Sequence, residues 1–396
     1  MTTRLPSGWR RLKFGAIAEC VNDRVDDPSA AGVDRYVGLE HLDADSLRIR
    51  RWGSPDQVAS TKLRFRPGDI VFGKRRAYQR KLAVADFEGI CSAHAMVLRA
   101  RPGTVYPEFL PFFMQSDAFM DRALAISVGS LSPTINWKTL AEEEFALPPI
   151  EGQLRLARVL SSCCMAAEAY RDAAARCRGV RTSLEVRHFG SSPERDAIPL
   201  GDLVREAVLS FQTGPFGTVL KASAYRAQGH PVVNPINMVG NLLVTEDGPF
   251  VSDGDWARLE RYWLAEGDLL LGRKRHMSKL VYVREEHANA LVGSDCIRIR
   301  ASRDVVCPRY LFHFLRSVPV QGWLQAQAGG NGTVMPGMNE RILERLVMHL
   351  PNLPIQEQVS EEIDRLDAAY DILMDRTRSV SELKGAMLDQ EMTERN

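Results

Sequence analysis

Short apolar runs of four to six residues, each closed by Gly, Pro or Asp, recur through this chain, and two long stretches with a different period interrupt them. "DIVFG", "AMVLRA", "DLLLG" and "CIRIRA" have the length and composition of buried strands. "PEFLPFFMQSDAFMDRALA" and "PRYLFHFLRSVPVQGWL" carry apolar residues at helical spacing behind a proline, and each predicts one helix with Pro107 or Pro308 in its first turn. The two long stretches keep an apolar or small residue at alternating steps of four and three. The first runs through Leu156, Leu160, Cys163, Ala167, Tyr170, Ala174, Cys177 and Leu184, with Arg181 as a break; the second runs through Val359, Ile363, Leu366, Tyr370, Leu373, Thr377, Val380 and Met387, with Lys384 as a break. Such a seam predicts two long helices that pair through it. At 1.5 Å per residue, about 35 residues give a rod of roughly 50 Å.

These patterns occur twice in the same order. "GDIVFGKRR" (68–76) is answered by "GDLLLGRKR" (267–275), "YVGLEHLDADSL" (36–47) by "VVNPINMVGNLL" (232–243), and "YPEFLPFFMQS" (106–116) by "CPRYLFHFLRS" (307–317). "SPTINWKTLAEEEFALPPIEGQ" (132–153) is answered by "MPGMNERILERLVMHLPNLPIQEQ" (335–358), the offset growing from 196 to 205 residues and setting Gly152-Gln153 against Glu357-Gln358. A repeat this long is a duplicated domain and not a solenoid, whose periods run about 20 to 50 residues. Strands and helices without regular alternation make each copy α+β. The expected division is a first domain at 1–150, a first spacer helix at 151–192, a second domain at 197–354 and a second spacer helix at 355–396.

A net charge of +1 offers no basic molecule to attract a polyanion as a whole, so any anionic partner must meet local patches. Two such patches follow the repeated strand. They are Lys74, Arg75, Arg76, Tyr78, Arg80 and Lys81 in the first copy, and Arg273, Lys274, Arg275, His276 and Lys279 in the second. Cations on a strand-to-loop transition suit phosphate contact, and arginine suits bidentate reading of guanine. The turns at 126–136 and 328–339, with Ser130, Ser132, Asn331 and Thr333, form a second candidate surface; Asn136 and Asn339 stand where helix caps are expected. Asp69 and Asp268 fit turn residues before a strand better than nuclease ligands.

Dinucleotide, P-loop and HExxH motifs are missing, so no catalytic residue and no metal site is expected. Seven cysteines, odd in number and without CxxC spacing, suggest neither zinc nor disulfides and fit a reducing cytoplasm. No run of about 18 apolar residues suggests a membrane span.

The ordered set of "GDIVFG"/"GDLLLG", a Gly/Ser/Asn turn before "IN" or "MN", "LPPIEGQ"/"LPNLPIQEQ" and a heptad helix after each copy resembles the specificity (S) subunit of type I restriction-modification systems. That resemblance implies an α+β protein with two homologous target recognition domains separated by an antiparallel pair of long coiled-coil helices. It further implies that each domain reads one half of a bipartite, asymmetric sequence in double-stranded DNA. The helices would dock a pair of methyltransferase (M) subunits and, with them, restriction (R) subunits. No cofactor is expected on this chain; S-adenosylmethionine belongs to the M subunits. A protein scaffold that joins partners through its helical rod, without reading DNA, is the alternative.

Overall fold

A computed structural model describes residues 5–44, 46–190, 197–246, 248–273, 279–328 and 337–392. The chain divides into two compact units, 1–172 with 373–396, and 173–372. Both boundaries fall inside a long helix: the first helix is Ile150–Phe189 and the second is Leu353–Met392. Each unit therefore owns one α+β domain and a stretch of both helices, whereas the sequence-based division assigns each long helix a segment of its own.

Unit 1 is built on an antiparallel sheet of β1 (Ala18–Val21), β2 (Ile70–Gly73), β3 (Leu82–Val84) and β4 (Ala95–Ala100), in the order β1-β4-β2-β3. Unit 2 repeats it with β5 (Leu209–Thr213), β6 (Leu269–Gly272), β7 (Leu280–Tyr282) and β8 (Cys296–Ala301), in the order β5-β8-β6-β7. Registers agree: Ile70 faces Leu98 where Leu269 faces Ile299. In each unit a further small sheet contains one parallel pair, Tyr36–Val37 with Gly89–Ser92 and His230–Val233 with Leu291–Val292. A short strand near the start of each domain pairs with the strand just before its long helix, Arg10–Lys13 with Glu144–Leu147 and Ala197–Pro199 with Val347–His349.

The turn that feeds β2 explains the repeated "GD". Gly68 and Gly267 sit at φ +90° and +89°, the third position of a tight turn that an L side chain rarely adopts. The aspartate that follows is 1% exposed in both copies and closes the turn. Asp69 accepts from the Arg66 N–H at 2.9 Å and from Arg99 Nε and Nη2 at 2.8 and 2.9 Å. Asp268 accepts from the Ala265 N–H and from Arg300 Nε and Nη2, all at 2.7 Å. A fork-to-fork pair of this kind locks the turn to the neighbouring strand. Both aspartates are structural.

Each apolar helix foreseen after the proline is broken in two. In unit 1, α1 (Leu110–Gln115) and α2 (Asp117–Ala125) flank Ser116; in unit 2, α3 (Pro308–Arg316) and α4 (Val318–Ala328) flank Ser317. Both serines are fully buried with extended backbone and donate to the carbonyl three residues earlier, Phe113 at 2.6 Å and Phe314 at 2.7 Å. Ser116 Oγ also accepts from the Phe119 N–H, capping the second piece. Pro308 opens its helix as expected, whereas Pro107 lies in the turn before α1.

The junction to each long helix carries a buried glutamine, and here the sequence pairing needs correction. Gln153 accepts from the Tyr106 N–H and donates to the Pro148 carbonyl, both at 2.8 Å. Gln356, not Gln358, does the same, accepting from the Cys307 N–H at 2.8 Å and donating to the Pro351 carbonyl at 2.7 Å. The two helices are thus related by 203 positions, the same interval that separates Arg181 from Lys384.

Within each unit the two helices run antiparallel. In unit 1, Leu156 and Leu160 share a core with Leu388 and Met392, and the Arg376 guanidinium lies 5.9 Å from the Tyr170 ring. In unit 2, Phe189 shares a core with Val359 and Ile363, and Arg178 lies over the Tyr370 ring at 4.8 Å. Leu156, Leu160, Val359 and Ile363 are buried, while Tyr170, Leu184, Leu366, Tyr370 and Leu373 are half-buried along the same stripe. Both breaks in the seam find polar partners. Arg181 lies 2.9 Å from Glu185 and 2.8 Å from Asp367, and Lys384 donates to the Gln115 side chain at 3.0 Å. Burial pushes the Glu185 carboxyl up, against the pull of Arg181. Among the described residues no helix is long and apolar enough to cross a membrane.

Candidate nucleic-acid interface

In unit 1 the two surfaces nominated from sequence meet. The basic loop leaves β2 at Gly73 and forms one short turn, Ala77–Gln79, between Arg76 at φ 56° and Arg80 at φ 50°. The Gly/Ser turn is closed by two hydrogen bonds between Val128 and Thr134, at 3.1 and 3.0 Å. The two loops then bond edge to edge: the Arg76 N–H donates to the Pro133 carbonyl at 2.8 Å, and the Ile135 N–H to the Lys74 carbonyl at 2.9 Å. A third segment joins them, the Arg75 N–H reaching the His94 carbonyl at 3.3 Å and its guanidinium lying 3.2 Å from His94 Nε2. Burial, then the Arg75, Lys74 and Lys62 cations, hold the His94 imidazole below its usual value.

Residues 73–81, 92–95 and 127–135, which make up this surface, contain no Asp or Glu. The charges therefore separate by location. Arg75 and Arg76 are exposed, as are Tyr78 and Ser130, while Lys74 and Ser132 are half-buried. Arg80 and Lys81 turn inward. Arg80 donates to the Gln115 carbonyl at 2.7 Å and pairs with Asp117 at 2.6 Å, and Lys81 donates to the Leu39 carbonyl at 2.8 Å. Asp117 opens α2, and its N–H faces the Asp389 carboxylate of the second long helix at 3.5 Å. Arg80 thereby ties the loop to the element on which that helix rests.

The corresponding lysine in unit 2 behaves as Lys81 does. Lys279 donates to the Pro235 and Met238 carbonyls at 2.6 and 2.9 Å. Arg273 is held by the Met338 and Ser294 carbonyls, both at 3.2 Å. Lys274, Arg275, His276, Asn331 and Thr333 lie outside the described residues. Asn136 and Asn339 are caps, accepting from the Lys138 N–H at 2.9 Å and the Ile342 N–H at 3.0 Å. Sequence reasoning passed over three residues of the unit 1 surface: His94, Val128 and Leu131. An aliphatic residue inside the polar turn "GSLSP" was the available signal.

No family model matches the chain. A specificity subunit is what it is similar to: the EcoDI type I restriction enzyme specificity subunit of Escherichia coli is 26% identical over 156 residues. That match covers 39% of this chain and about a third, 34%, of the relative's length. Two solved structures share the fold over nearly the whole chain. One is the type I restriction-modification S subunit of M. genitalium, with a TM-score of 0.61, 12% identity and coverage of 99% and 97% of the two chains. The other belongs to a study of complex assembly and conformational transition in a type I R-M system, with a TM-score of 0.53, 19% identity and 98% coverage of both chains. The resemblance to type I specificity subunits thus holds in sequence over part of the chain and in fold over nearly all of it.

Proposed function

We propose that the chain is the DNA-binding specificity subunit of a type I restriction-modification complex, each α+β domain reading half of a bipartite target. The observation that carries this reading is the acid-free loop surface of unit 1, where Arg75 and Arg76 stand exposed on a hydrogen-bonded frame beside Tyr78, Ser130 and Ser132. Without carboxylates to neutralise them, these cations are free to replace the counterions of a duplex. Arg80 and Lys81 hold the loop in place, and the duplex contacts fall to the exposed members. The loops at 273–279 and 328–339 play the same part in the second domain. Methyl transfer, with S-adenosylmethionine, and cleavage reside in M and R subunits docked on the long helices.

Binding of the full chain, with its M subunits, to a defined target tests this. Arg75→Ala and Arg76→Ala each lower affinity and reduce the salt slope by about one unit. Unchanged affinity and slope in both remove the loop from the interface. Absence of any sequence-selective binding leaves the helix pair as a protein scaffold.

A further inference from the structure

The same loop surface carries an apolar tip that phosphate contact does not explain. Leu131 is 91% exposed and Val128 77%, the two most exposed large apolar side chains of unit 1 among the described residues. Tyr78, at 54%, belongs to the adjoining loop. Scattered single apolar residues on a surface need no account. These stand three positions apart on one turn, whose ends are tied by the Val128–Thr134 pair and whose flank is bonded to the arginine loop through Arg76 and Pro133. A frame of this kind keeps the tip in place beside two exposed guanidinium groups, on loop segments that carry no Asp or Glu of their own.

Resting on the DNA-binding reading above, we infer that Val128 and Leu131 form a contact for the C5-methyl group of thymine in the first domain's half-site. Charge complementarity selects a duplex as the occupant, and the thymine methyl is the apolar group that a base pair shows in the major groove. Arg75 and Arg76 position the backbone and Leu131 reads a base edge, a division between holding and discriminating. Because Leu131 is nearly fully exposed, shortening it leaves the core intact.

The experiment uses the full chain with its M subunits and a target mapped by methylation, in which each thymine is replaced singly by deoxyuridine. That replacement removes one methyl and leaves pairing unchanged. Wild-type protein loses about three- to four-fold in affinity at one or two positions of a single half-site, the effect of about one buried methyl. Leu131→Ala or Val128→Ala weakens binding to the thymine duplex, abolishes the difference between thymine and deoxyuridine there, and leaves the salt slope unchanged. A half-site without any A·T pair, or equal binding of thymine and deoxyuridine duplexes at every position, overturns the inference. So does a discrimination that survives in both variants. If Leu131→Ala weakens binding with no deoxyuridine effect, the tip is a sequence-independent wedge and the inference also fails. Loss of binding in Arg75→Ala and Arg76→Ala shows in each of these cases that the DNA-binding reading itself stands.

Discussion

In unit 1 a cavity of about 530 Å³ lies against the long helices, walled by Ile70, Val84, Phe112 and Cys164 together with Arg48, Glu168 and Lys384. In unit 2 the corresponding cavity, about 580 Å³, is walled by Glu266, Arg309, Arg316, Asp364 and Asp367. Helix positions 203 apart make the contrast direct: Ser161 against Asp364, and Cys164 against Asp367. On the facing helices, Phe112 of α1 has the buried His313 of α3 as its counterpart. His313 Nε2 lies 2.9 Å from Asp364, and Arg309 reaches the same carboxylate at 3.0 Å. Around these cavities the frame is the same in both copies: the Asp–Arg turn, the split helix and the junction glutamine. After duplication, positions that satisfy backbone groups have kept their residues, whereas Ser161, Cys164 and Phe112 on the cavity wall have Asp364, Asp367 and His313 as counterparts.

The comparison is most sharply broken at the turn aspartates. Asp69→Ala and Asp268→Ala each leave a backbone N–H and an arginine without their partner, at a cost of about 2–3 kcal/mol. Hydrogen exchange resolved by unit checks that the two losses match; tolerance at one site would show the frames to be unequal. Gln153→Ala and Gln356→Ala follow, at about 1–2 kcal/mol each, since a neutral amide is lost from two or three backbone groups. The third effect separates the units. Asp364→Ser, which installs the unit 1 residue, costs under about 1 kcal/mol because that side chain is 39% exposed. Burial pushes the Asp364 carboxyl up, but His313 and Arg309 prevail and hold it below its ordinary 3.8. Its contribution is therefore present above that value and lost as pH falls through the lowered one. Acid titration followed in unit 2 shows a stability loss below about pH 4 that is smaller in the variant.

What the sequence disclosed was local or strictly periodic. The glycine at φ near +90°, the Asn136 and Asn339 caps, and the spacing of the heptad stripe each depend on neighbours within a few positions. Helix periodicity could not reveal the break at Ser116, which exists because Oγ can take the Phe113 carbonyl and the Phe119 N–H in a fully buried corner. Glutamine pairing slipped by two residues because "IQEQ" offers two glutamines, and only the Cys307 N–H and Pro351 carbonyl choose between them. In the basic loop, Arg75 and Arg80 look alike as letters. Their difference is that Asp117, 37 positions further on, comes within 2.6 Å of one of them.

Leu388 and Met392 are buried in the core of unit 1, while unit 2 is formed from one uninterrupted stretch, 173–372. During synthesis on the ribosome, then, the middle of the polypeptide holds all its parts first. The earlier-made domain waits, with Leu156 and Leu160 lacking their cover, until the last turns of the second long helix emerge. A chain stopped near residue 375 would hold every residue of unit 2 and lack the Leu388 and Met392 cover of unit 1.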